Sequence, residues 1–164
     1  MTIGDIVKEN PDDIRAALFD YGIDIFCNAK NEGKALRKAN EVVRNVYLAQ
    51  ILCDEINNGG FIQYFFNQDS AHFELIEGAL SAIGMTALSG IYKDAFAALQ
   101  AAAARQTFNI SASNCRDLEK FSGLYDDNEE FDAFDDRFYE LDKDETNTYG
   151  LIEAYVKAHL NDKI

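Results

Sequence analysis

The sequence predicts a single all-α domain of about six or seven helices. Apolar residues recur at spacings of three and four, no stretch alternates with period two over a strand's length, and Pro11 is the only proline in 164 residues. A chain of this length fits one domain around one core. Its 48% hydrophobic content separates it from disordered chains despite a net charge of −14.

The first helix is expected to start at Pro11, with Asn10 as cap and Ile14, Leu18, Tyr21 and Ile25 on its buried face. A second, from about Glu32 to Asn58, carries Leu36, Val43, Val46, Tyr47, Gln50 and Ile51 along one side. Lys30, Lys34, Arg37, Lys38 and Arg44 crowd its beginning, against the usual preference for acids there. Asn57-Asn58-Gly59-Gly60 should end this helix and reverse the chain, because these residues tolerate a left-handed backbone. Phe61, Tyr64, Phe65 and Phe66 then form a short helical turn whose rings cover the core, with Tyr64 or Phe65 at a subunit interface as the alternative.

Ser70 caps a helix through Phe73, Ile76, Leu80 and Ile83, which Gly84 ends. Thr86 caps the next, through Leu88, Ile91, Phe96 and Leu99 into the run Ala101 to Ala104. The Ser, Asn and Thr content of 106–114 marks a loop. The last helix spans about Thr148 to Leu160, with Leu151, Ile152, Tyr155, Val156 and Leu160 as its docking stripe.

Residues 117–145 hold 13 carboxylates against Lys120, Arg137 and Lys143. Phe131, Phe134, Phe138 and Leu141 repeat at 3, 4 and 3, so this segment can bury one seam while Glu129, Asp132, Asp136 and Glu140 project outward. Like charges at i, i+4 oppose an isolated helix by about 0.2–0.5 kcal/mol per pair, whereas each buried phenylalanine contributes about 1.5–3 kcal/mol, so the seam prevails. If 117–145 formed one helix, an acid would fall about every 3.4 Å of axis, the spacing of charges along one DNA strand, although Gly123 interrupts it. The competing reading is an acidic face maintained for solubility.

The block from Leu52 to Asn67, centred on Asn58-Gly59-Gly60-Phe61, resembles the hallmark of the acidic DNA-mimic protein family. The segments Glu77 to Gly84 and Phe131 to Tyr139 are similar to that family's next helix and its closing acidic segment. The resemblance covers roughly Glu41 to Leu160. It implies an all-α, often dimeric bacterial protein without catalytic residues, whose best-described type imitates duplex DNA and binds a repressor-type transcription factor.

Other chemistries find little support. His72 and His159 lie far apart outside any ligand pattern, and read as ordinary, partly exposed histidines. No nucleophile elbow and no phosphate-cradling glycine loop is present, so no enzymatic activity and no cofactor is expected. Asp142 to Glu153 places oxygen ligands at several positions of a calcium-binding EF-hand loop, with Asn147 at the position glycine normally takes. Cys27, Cys53 and Cys115 fit neither a disulfide framework nor a Cys-x-x-Cys site and read as reduced, mostly buried thiols. No apolar run reaches the about 18 residues of a membrane span, and the N-terminus lacks the features of a leader, so a cytoplasmic location is expected.

The expected role is binding of a basic DNA-binding protein, a repressor-type factor, and exclusion of its DNA. Asp126, Asp127, Glu129, Glu130, Asp132, Asp135, Asp136 and Glu140 form the candidate partner-binding face, on a homodimer that binds neither nucleic acid nor membrane. The alternatives are an immunity-type inhibitor of a cationic nuclease toxin using the same acids, a calcium-responsive module, or a merely solvated acidic surface.

Overall fold

The computed structural model describes residues 1–106 and 129–164. The loop expected at 106–114, the break at Gly123 and Cys115 fall, apart from the backbone of Gln106, outside the described residues. Within them the protein is all-α, with eight helices rather than six or seven: α1 (Ile3–Val7), α2 (Ile14–Phe26), α3 (Glu32–Lys38), α4 (Glu41–Asn67), α5 (Ser70–Ile83), α6 (Thr86–Gln106), α7 (Glu129–Leu141) and α8 (Tyr149–Ala158). No described helix is long and apolar enough to cross a membrane.

Helix α4 is the axis of the fold and packs against α2, α5, α7 and α8. It shows no clean amphipathic stripe because it is covered from several sides, with Val43, Val46, Leu48, Leu52, Cys53 and Ile56 all in the core. The helices beyond those expected are α1, ahead of α2, and α3, split from the start of α4. Helix α1 is held by a reciprocal cap, in which the Asp5 N–H donates to Thr2 Oγ1 (3.2 Å) and the Thr2 N–H to Asp5 Oδ2 (2.9 Å). Its N-terminal end is zipped to the C-terminal segment: Gly4 N–H donates to the Leu160 carbonyl at 2.8 Å, and a Cβ on Gly4 would lie 2.9 Å from that oxygen.

Helix α2 starts at Ile14 rather than Pro11, because the Asp13 carboxylate accepts the Ala16 N–H (2.9 Å) and supplies a charged cap where the helix dipole favours one. The second helix is in fact two. Ala39 is extended, and Asn40 Oδ1 accepts the N–H groups of Val42 and Val43 to start α4 afresh. Arg37 and Lys38 therefore occupy the last turn of α3, where cations are favourable.

At Gly59-Gly60 the chain kinks instead of reversing, and a final helical stretch runs to Asn67. Phe61, Tyr64 and Phe65 on that stretch are fully buried, so Tyr64 and Phe65 cannot serve a subunit interface. They join Phe73, Tyr92 and Phe96 in an aromatic cluster; Tyr92 and Phe96 stack with centroids 5.8 Å apart. Asp69 rather than Ser70 caps α5, and Gly84 ends it in the left-handed conformation at φ +85°.

Two side chains differ in burial from expectation. His72 is only 1% exposed, enclosed by Tyr47, Glu32 and Asp69. Cys27 is exposed, because it follows the last turn of α2, while Cys53 is buried on α4 and burial pushes its thiol up.

Candidate partner-binding face

Helix α7 follows its sequence pattern. Phe131 and Phe138 are buried, Phe134 and Leu141 are partly buried against the core, and Phe131 meets Phe65 edge-on at 6.4 Å. The helix packs against α4 and α6. Glu129, Asp132, Asp136 and Glu140 are exposed on the opposite side. Their spacing of 3, 4 and 4 places them along one flank, about 16 Å from first to last. Asp126 and Asp127 lie outside the described residues; Glu130 is on α7 by its backbone.

The cations near this flank neutralise it only in part. Arg137 Nη1 pairs with Asp94 on α6 at 2.8 Å and its guanidinium lies over the Phe134 ring. Lys143 pairs with Glu140 at 2.5 Å, both ends well exposed, a kind of pair worth about 0–1 kcal/mol. Asp132 and Asp136 have no ion pair among the described residues.

Asp135 does something different. It turns inward, and its Oδ1 accepts the Phe61 N–H at 2.8 Å. This carboxylate on α7 caps the helical stretch after the kink of α4. The kink provides the space: Gly60 has φ +79° and ψ 179°, a conformation open in practice to glycine alone, and a Cβ there would fall on Asp135 Oδ2. Burial pushes the Asp135 carboxyl up to about 6; the Phe61 N–H opposes the rise, and the negative charges of Asp132 and Asp136 add to it. Asp135 is therefore occupied by the scaffold and lies apart from the exposed flank. Its sequence position carried the signal, four residues after Phe131 and three before Phe138, on the buried stripe.

The rest of the Leu52 to Asn67 block also serves the scaffold. Glu55, before the kink, accepts amide N–H groups from Gln63 (2.7 Å), Asn67 (2.8 Å) and Gln68 (3.3 Å) beyond it. The Tyr139 hydroxyl of α7 donates to the Ile56 carbonyl at 3.0 Å, satisfying a backbone acceptor just before the kink. The kink and the acidic helix thus form one hydrogen-bonded unit. A family model described as DMP19-like protein matches residues 37–159, a span that contains this whole unit.

The chain belongs to the DMP19-like protein family. No curated protein and no solved structure matches it. DMP19-like family membership agrees with the resemblance carried by the glycine-centred block, and the structure assigns that block a physical task, to bend α4 and hold α7 on it. The matched span begins inside α3, so α1 and α2 lie outside it.

The acids after α7 have local partners. Asp142 accepts hydrogen bonds from the Thr148 hydroxyl and from Asn57 Nδ2 (3.2 Å), and Glu153 pairs with Lys157 at 2.5 Å. Glu145, not Asn147, takes the left-handed backbone at φ +58°. The helix ends at Leu141, so the acidic segment is not one rod through residue 145. Among the described residues no three His, Cys, Asp or Glu side chains converge as a metal-ligand set.

Proposed function

We propose that this chain is a DNA mimic that binds a basic DNA-binding protein, of the repressor type, and occludes the surface that would contact DNA. The observation that carries the reading is the exposed flank of α7. Four carboxylates over about 16 Å stand where one DNA strand would place about five charges, on a helix fixed by the phenylalanines beneath. Membership in the DMP19-like family supports it, as does the net charge of −14, which draws cationic partners at long range. Glu129, Asp132, Asp136 and Glu140 are the contact residues in this reading; Asp126, Asp127 and Glu130, their neighbours in sequence, are further candidates. The protein acts as a cytoplasmic homodimer and catalyses no reaction.

Lysines and arginines of the partner would meet these carboxylates, so association is fast at low ionic strength and weakens as salt shortens the Debye length from about 10 Å at 0.1 M to about 3 Å at 1 M. The test is to recover cationic proteins from host lysate at low salt, elute them with a salt step, and ask whether the protein displaces DNA from each. Displacement that is lost in the Asp132→Lys, Asp136→Lys, Glu140→Lys triple variant is the expected result. Displacement unchanged in that variant, or no displacement from any recovered protein, would overturn the proposal. Inhibition of a nuclease without effect on a transcription factor would point to an immunity role instead.

A further inference from the structure

Beside the acidic flank, α6 and α7 leave an open groove of about 670 Å³. The exposed Ala87 and half-buried Leu141 supply apolar surface over the buried Ile91, and Asp136, Arg137 and Glu140 stand along its α7 side. Arg137 is engaged by Asp94. Asp136 carries an unneutralised charge among the described residues, and the exposed Lys143 on Glu140 can be exchanged for a partner's cation. A surface that imitated phosphates alone would have no use for apolar area at this place, because phosphate contacts are made by charge and hydrogen bonds.

We infer that this groove receives the apolar side chain of a basic amphipathic helix, whose lysines or arginines one turn apart meet Asp136 and Glu140. The spacing fits: Asp136 and Glu140 are four residues apart on α7, about 6 Å of axis, the same rise that separates i and i+4 on a partner helix. The inference rests on the DNA-mimic reading and deepens it. Charge brings the partner in, and the apolar anchor selects among cationic helices that charge alone would treat alike.

Two fluorescent helical peptides test it against the full chain, identical in their i, i+4 lysines but carrying leucine or alanine at the central anchor position. Binding is followed by anisotropy from about 50 to about 500 mM NaCl. The leucine peptide is expected to bind about tenfold more tightly, with the ratio retained at high salt because apolar burial is not screened. Ala87→Trp, which fills the groove from an exposed position of α6, should remove the ratio between the two peptides. Asp136→Lys with Glu140→Lys should abolish both. Should Ala87→Trp fail to fold by circular dichroism, the methyl resonances of Ile91 and Leu141 in the wild-type protein give the second readout; they shift only with the leucine peptide. Equal affinities, a ratio that survives in folded Ala87→Trp, or unmoved methyls would overturn the anchor while leaving the charge-based reading standing. Binding of neither peptide at low salt would overturn both.

Discussion

Asp135 offers a measurement in which protonation, burial and capping can be separated. In the unfolded chain its carboxyl releases its proton near pH 4, and in the folded protein near 6. Between those values the native state holds the extra proton, so this group lowers stability as pH rises from about 4 to about 6; below about 4 the loss is absent. A rise from about 3.9 to about 6 corresponds to about 3 kcal/mol in full, and to about 1–1.5 kcal/mol after allowing for solvent screening at a half-buried side chain. Asp135→Asn removes the charge but keeps an oxygen to accept the Phe61 N–H. The expected outcome is a variant close to wild type in urea unfolding at pH 4 and more stable by about 1 kcal/mol at pH 7.5. The difference between the two curves cancels what the proteins share and leaves this site together with its coupling to Asp132 and Asp136. A difference curve flat from pH 4 to 7.5, or a variant less stable at pH 7.5, would refute the assignment of Asp135 as a buried cap.

Four further outcomes follow from the same structure. Gly60→Ala forces a side chain into a glycine-only backbone and onto Asp135, and should lower stability by about 2–4 kcal/mol in chemical denaturation. Phe138→Ala empties a fully buried position and should cost about 3–5 kcal/mol by the same assay, with faster amide exchange along α7. Glu55→Ala leaves the amides of Gln63, Asn67 and Gln68 without their common acceptor, and should destabilise by about 1–3 kcal/mol while raising exchange at Phe61 to Asn67. Hydrogen bonding to His72 holds the Asp69 carboxyl near 2, below its unfolded value, so its contribution is present above about pH 4 and lost as pH falls toward 2. Asp69→Asn should be the less stable protein at pH 7, with the gap to wild type closing across that acid range.

What could be read from the residues was what local periodicity encodes. Helix α5 and its glycine stop follow from a clean 3.6-residue pattern ending at Gly84, and the seam of α7 from its phenylalanines. Helix α1 leaves no mark in the pattern, because five residues with two buried side chains make no repeating signal. The break between α3 and α4 was hidden because Ala39 and Asn40 are not strong helix breakers; the basic residues of α3 were the clue, since they sit badly at a helix start and well at a helix end. The pair Gly59-Gly60 reads equally as a reversal or a kink, because glycine pairs permit either, and what decides is long-range: Asp135, 74 residues away from Phe61, caps the continuing stretch. The local pattern makes His72 partly exposed, because nothing near it in sequence announces that Glu32 and Tyr47 close over it. On the candidate face, charge pattern alone could not separate the inward Asp135 from its outward neighbours. The hydrophobic phase of the helix could have done so.

The thirteen residues of α7 answer to two separate demands. One side of the cylinder is committed to aromatic packing and to the Phe61 cap, and changes there are felt throughout the interior. Among the described residues the carboxylates of the other side make only exposed contacts, so they can be moved, added or removed at small thermodynamic consequence. A lineage built this way can retune which protein it recognises, one surface substitution at a time, while its architecture stays the same.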